Sequence, residues 1–570
     1  MVDRSVRWGR ARRALAAAGV GAIAIPALLS AAAFAEPPPG GGTIALQKDH
    51  WGDKDADQVS KDLDGNYRAE QDPGSLFTVT TAIGARNVWG QRDALGRAVT
   101  GKGVTVALLD SGLAPVPGLD AAGKVVQGPD LSLETNSDAL RGLDTFGHGT
   151  HLAGIIGSAD PVPRDAKTGA PRSTTAGQQL GVAPDAGLLS LKLATANGSA
   201  DVSQIIAGLD WVSQHAKDNG MNVRVVNLSF GTDALQPYQI DPLAAAVENA
   251  WRRGLVVVVS GGNEGPTAGR LTDPAIDPYV IAVGASDPNL SVGGWRAPTV
   301  ATYSSSGSNE RHVDLLAPGK SITALRDPGS FIDVNHPEGL VSGDTSGRLF
   351  RGSGTSQAAA VVSGAAALLV QAKPTLTPDQ VKAVLVDSAK PIPGVLPIYQ
   401  GAGQLDVSNA LGTVRAANKL GSPEALLLAG ATQTHPLATG TGSLEAARGS
   451  SHLVDDVNGV ALTGEVDVQG QPFVSAAWAA RSAAGAAWSG GMWNGTRWSG
   501  DGWSSGALWS STVWSGARWS GALWSDTSWD GARWSGARWS DATWSGARWS
   551  GARWSDAGWL SVNWSADTGG

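Results

Sequence analysis

Three stretches of this chain, VTVALLD (104–110), VRVVNLSF (223–230) and LVVVVS (255–260), are largely continuous apolar runs of strand length. A strand with one face in water alternates apolar and polar residues, whereas a strand covered on both faces does not. Helical patterns lie between them. DVSQIIAGLDWVSQHAKDNG (201–220) has apolar residues at helical spacing, Asp201 placed as a cap and Gly220 as a stop. DPLAAAVENAWRRG (241–254) repeats the arrangement, with arginines in its last turn and Gly254 at its end. The alternation predicts an α/β fold, a mostly parallel sheet with helices on both faces. In such sheets, sites collect at the carboxyl ends of the strands.

The alternation does not fill the chain, whose 570 residues exceed one ordinary domain. Residues 1–35 place five arginines before an apolar run that ends in Ala33-Phe34-Ala35, the layout of a secretory signal peptide. Residues 36–78 open with EPPPGGG and continue polar and acid-rich, so we read them as a linker or short pro-segment. Residues 79–411 carry the regular pattern, and 412–477 read as a linker with a small β-like region. Residues 478–570 form a tryptophan-rich repeat. The chain has no cysteine, which excludes disulfides and thiol chemistry. A net charge of -8 without any basic stripe argues against nucleic acid as a partner.

Four residues could carry chemistry, and each also has a plain structural reading. Ser356, in GTSQAAA (354–360), precedes a run of small apolar residues, where a serine caps a helix far more often than it attacks anything. Asp110 ends a predicted buried strand, and Ser111-Gly112 would turn its carboxylate off the sheet edge, yet aspartate is common in turns. His148, in GHGTHLAG (147–154), sits between two glycines at a predicted helix start, where a histidine is more often a cap or a packed side chain than a base. Asn263, in GGNEG (261–265), follows a predicted strand and could be an ordinary turn asparagine.

Their order and settings together are more informative. VALLDSG, GHGTHLAG, GVAPDAGLLSLK, VVNLSFG, VSGGNEGP, VIAVGAS, DLLAPG, GTSQAAA and GAGQLDV occur in this order between about Ile83 and Leu411. Taken together they resemble the landmark segments of the subtilisin-like serine peptidases. The resemblance implies a catalytic triad of Asp110, His148 and Ser356, with Asn263 as side-chain donor to the oxyanion. It also implies that Ser229-Phe230-Gly231 and Gly261-Gly262 line the substrate cleft and pair with substrate main chain. The related sedolisins carry an acidic residue where this chain has Asn263. Residues 357, 360 and 361 depart from the family pattern: Gln357, Ala360 and Val361 stand where Met, Pro and His are usual. No cofactor is required by this chemistry. Structural calcium is common in the family, but no run of acidic ligands places it here.

From Trp488 to Trp564 a tryptophan recurs every five residues, with one step of six. Along a strand an odd period alternates faces, and along an α-helix it smears round the axis. The unit ARWSG resembles pentapeptide-repeat β-solenoids, although tryptophan is large for a narrow coil; a flexible Gly/Ser-rich tail is the other reading. Exposed aromatic columns would suit a cell-wall polymer or self-association. The sequence thus predicts a secreted or cell-wall-associated serine endopeptidase acting on proteins or peptides. The alternative is a silent peptidase fold on a surface-binding protein that works through its repeat.

Overall fold

A computed structural model describes residues 67–497, apart from 137–139, 173–175, 289, 292–293, 296–297 and 455–459, together with 50–51, 532–534, 537–539, 548–549 and 552–553. The signal peptide expected at 1–35 and most of the 36–78 segment lie outside the described residues, as does most of the tryptophan repeat.

Strands β1 (Thr105–Asp110), β2 (Val125–Asp130), β3 (Gly187–Lys192), β4 (Val223–Leu228), β5 (Val256–Ser260), β6 (Ile281–Asp287) and β7 (Leu315–Pro318) form one sheet. Their order is β7-β6-β5-β4-β1-β3-β2, all parallel. Only the short strand Thr299–Val300 joins β6 antiparallel. The three apolar runs of the sequence are β1, β4 and β5, which are neighbours at the centre and almost wholly buried.

The covering helices include α1 (His148–Gly157), α2 (Val202–His215), α3 (Pro242–Arg252) and α4 (Thr355–Ala372). Asp201 caps α2 in a capping box with Gln204, and Asp241 caps α3 through the amides of Leu243 and Ala244. Helix α2 ends at His215, short of the predicted stop at Gly220, because the incoming β4 takes over: the Val223 N–H donates to the Ala216 carbonyl. Helices α2 and α3 pack on each other on one face, while α4 lies along β1 and β4–β7 with α1 beside it. Every residue of α4 from Thr355 to Gln371 is buried. It is long and apolar enough to cross a bilayer, yet it is the central core helix.

The structured body is longer than 79–411 at both ends. At the N-terminal end Asp72 is buried against Arg351, with Oδ1 3.1 Å from Nη1, and Ser75 caps a helix at Leu76–Ala82. At the C-terminal end, the expected linker and β-like region of 412–477 gives way to short helices at Val407–Ala416, Pro423–Gly430, Leu444–Arg448 and Ser475–Ala484. The HLVDDVNGVALTGEVDVQGQPF stretch contributes only isolated bridges, Val454 to Ala461 and Val466 to Pro472. The physical reason is anchorage. Arg448, fully buried, pairs with Asp201 at 2.7 Å and donates to the carbonyls of Gly464 and Val466, so this segment is tied to the cap of α2. Within the repeat, Trp488–Ser489, Met492–Trp493 and Thr496–Arg497 form a small antiparallel sheet, and 532–534 pairs antiparallel with 537–539.

Candidate active site

Asp110 is the last residue of β1, Ser229-Phe230-Gly231 directly follow β4, and Gly261-Gly262-Asn263 directly follow β5. Three adjacent parallel strands therefore deliver these residues to one carboxyl edge. His148 is the first residue of α1 and Ser356 the second of α4, and the two helices pack together.

Asp110 and His148 are each 1% exposed, and Asp110 Oδ1 lies 2.7 Å from His148 Nδ1. A carboxylate only accepts, so Nδ1 carries the proton and Nε2 presents its lone pair. The same Oδ1 accepts from the Ser111 N–H at 2.8 Å. This approach depends on Gly149. A Cβ there would stand 2.1 Å from the Gly112 carbonyl oxygen and 3.3 Å from Asp110 Oδ1, so any larger residue would push the histidine turn off the aspartate loop.

Asn263 Oδ1 accepts from both the backbone N–H and the hydroxyl of Thr355, each at 2.9 Å. The amide is thereby oriented with its Nδ2 on the opposite branch, beside the residue that precedes Ser356. The Ser356 hydroxyl is buried without a hydrogen-bond partner among the described residues, and its N–H lies in the first turn of α4, where amides have no intrahelical acceptor. Ser229 Oγ stands 3.5 Å from the Ser356 carbonyl. Ser229 and Phe230 are themselves fully buried, main chain included. Gly261 and Gly262 are buried too, Gly231 is half-buried, and the departure residue Gln357 is fully buried in α4.

The second histidine of GHGTHLAG serves packing. Burial, with the nearby His148, pushes His151 down to about 3, so it stays neutral. Thr355, Ser111 and Asp144 were not singled out by the sequence. Thr355 was inside a quoted motif, and Asp144 stands four residues before His148, but nothing in the spacing alone marks either as a partner.

Among the described residues no group of three or more acidic or histidine side chains is arranged to hold a metal. Around the half-buried Asp314, where main-chain carbonyls converge, the protein supplies its own cations. Arg311 donates to the carbonyls of Ala275 and Asp277, Lys382 to those of Pro278 and Val280, and both pair with Asp314. Burial opposes the Asp314 charge, but these two cations hold its carboxyl below the usual range.

Comparison with known proteins gives the family. Residues 101–422, more than half of the chain, match the model of the Subtilase family. Serine protease AprX of Bacillus subtilis (strain 168) is 36% identical over 342 residues, covering 59% of this chain and 71% of AprX. Subtilisin Savinase of Lederbergia lenta is 32% identical over 295 residues, 51% of this chain and 86% of its own. A solved structure of fervidolysin from Fervidobacterium pennivorans, described as a keratinolytic enzyme related to subtilisin, is 24% identical with a TM-score of 0.47, covering 65% of this chain and 51% of that one. The chain belongs to the subtilase family of serine proteases.

Proposed function

We propose that the chain is an exported endopeptidase that cleaves peptide bonds of protein substrates with Ser356 as nucleophile, His148 as general base and Asp110 as the group that orients it. The observation that carries this reading is the buried Asp110 Oδ1 to His148 Nδ1 contact of 2.7 Å at the sheet edge that also bears Asn263. A serine hydroxyl is a weak nucleophile at neutral pH, so His148 Nε2 takes its proton as Oγ attacks the carbonyl carbon. Asp110 then stabilises the imidazolium, and the same proton passes to the leaving amine. Water repeats the sequence on the acyl-enzyme. The oxyanion receives Asn263 Nδ2 and the Ser356 N–H, donors fixed before the reaction begins. The family resemblance implies that main chain at 229–231 and 261–262 pairs with an extended substrate backbone, a mode that favours broad specificity.

The test is labelling. A serine-directed phosphonate should inactivate the full chain at one equivalent, with the adduct on Ser356 by peptide mapping. An unlabelled, well-folded protein would instead support the reading in which the fold is silent and the repeat acts.

Export is supported by the N-terminal sequence. No calcium requirement follows from the residues around Asp314. A structural ion saturated a hundredfold above its Kd would contribute about 2.7 kcal/mol, a shift of several degrees in the thermal midpoint. Excess chelator should leave both the midpoint and the hydrolysis rate unchanged, and a fall of several degrees would show a metal outside the Arg311 and Lys382 cradle.

A further inference from the structure

We propose that Asp144 is a positioning residue of the active site, one that sets the Asp110–His148 geometry by tying the two loops that carry those residues. This rests on the triad reading above. The carboxylate of Asp144 is buried and accepts four hydrogen bonds. Oδ1 accepts from the Ser111 hydroxyl at 2.8 Å and the Gly147 N–H at 2.7 Å. Oδ2 accepts from the Thr150 N–H at 2.7 Å and the Thr150 hydroxyl at 2.6 Å.

These partners are the chain neighbours of the reacting pair. Ser111 follows Asp110, and its hydroxyl also accepts from the Gly149 N–H at 2.9 Å. Gly147 and Gly149 flank His148, so the backbone is held on either side of the histidine, at the Gly147 N–H by Asp144 and at the Gly149 N–H by Ser111. Thr150 passes the tie onward, because its hydroxyl accepts from the Ala114 N–H at 2.9 Å. A closed ring results: Asp110, Ser111, Asp144, Gly147, His148 and back to Asp110 through the 2.7 Å contact.

The loop has a second anchor besides Asp144. Lys192, which is beside Asp110 in the strand register, is fully buried and reaches the same two loops from behind. Its Nζ donates to the Ser111 carbonyl, the Leu143 carbonyl and the Thr145 hydroxyl, and pairs with Glu134 at 2.8 Å. Loss of the Asp144 acceptors should therefore loosen the angle of the imidazole rather than unfold the site. An asparagine cannot replace the carboxylate, because its Nδ2 would face donors on one side of the ring.

Asp144→Asn and Ser111→Ala should be compared with the parent and with Ser356→Ala on a short peptide ester or amide, in the full chain. The expected result is kcat reduced about 10- to 100-fold in Asp144→Asn, as sub-ångström to 1 Å misplacement of a base produces, with KM within about twofold and a thermal midpoint lowered by the buried donors that Nδ2 faces, in a protein still folded at the assay temperature. Ser111→Ala should move kcat the same way by a smaller factor, and it stands in if Asp144→Asn does not fold. Unchanged kcat in both variants, or a rise in KM alone, overturns the positioning role while Ser356→Ala remains inactive. Full activity in Ser356→Ala would instead overturn the triad reading beneath it, and the role with it.

Discussion

Asn263→Ala should lower kcat about 100- to 1,000-fold, or roughly 3 kcal/mol of transition-state stabilisation, a magnitude carried over from another member of the same family. KM should stay within about twofold, because a donor that meets only the oxyanion is engaged in the transition state and not in the ground state. The structure gives the reason for so large an effect at one amide. Asn263 Oδ1 is held by two donors of Thr355, so the side chain cannot rotate to serve another partner and its Nδ2 is oriented in advance. Asn263→Asp should be as slow, since it keeps the Thr355 contacts and replaces the donor with an acceptor. Steady-state kinetics on a peptide substrate, with the thermal midpoint as control, decides it. A variant with raised KM and parental kcat would make Asn263 a substrate-holding residue instead.

That prediction draws on what the sequence made legible. The central strands could be read because burial on both faces leaves an unbroken apolar run, as in β1 and β5, and Asp110 and Asn263 then fall at or just past strand ends by simple continuation. Helices α2 and α3 announced themselves through Asp201 and Asp241, whose capping is local and so written in neighbouring residues. What could not be read is long-range. Asp201 looks like any cap in the sequence, yet its carboxylate also binds Arg448, 247 positions away. Asp144 looks like a loop aspartate until the fold brings Ser111 to it. The segment 412–477 resembled a linker because its helices are short and its stability comes from such distant anchors rather than from its own periodicity.

Trp478→Ala should destabilise the whole protein by about 3–5 kcal/mol, the usual cost of emptying a fully buried aromatic site. Three tryptophans of the C-terminal region belong to the core of the body. Trp478 and Trp493 are fully buried, and both indole N–H groups donate to Asp210 Oδ2, at 2.8 and 2.9 Å, from opposite sides of a helix-to-strand turn. The Ser482 hydroxyl donates to Asp210 Oδ1, and the Trp488 indole donates to the Ala207 carbonyl at 2.8 Å. Helix α2 therefore meets the start of the repeat as it meets its own core. Asp210→Ala should cost a comparable amount, since it leaves buried N–H donors without an acceptor. Burial raises the Asp210 carboxyl to about 6, against the pull of its three donors. The folded protein thus keeps a proton that the unfolded chain, with an ordinary value near about 3.9, has already released. Stability from this group is complete below about pH 4 and falls as pH rises through about 6, by roughly 3 kcal/mol, a slope that Asp210→Asn should remove. Denaturant unfolding of the full chain at pH 4.5 and 7.5 measures all three variants. A parental midpoint in Trp478→Ala, or a separate early transition for residues beyond 471, would mean that the C-terminal region is an appendage; a single transition that moves with Trp478 makes it part of the catalytic body, so that truncation before Phe473 would cost the peptidase its fold.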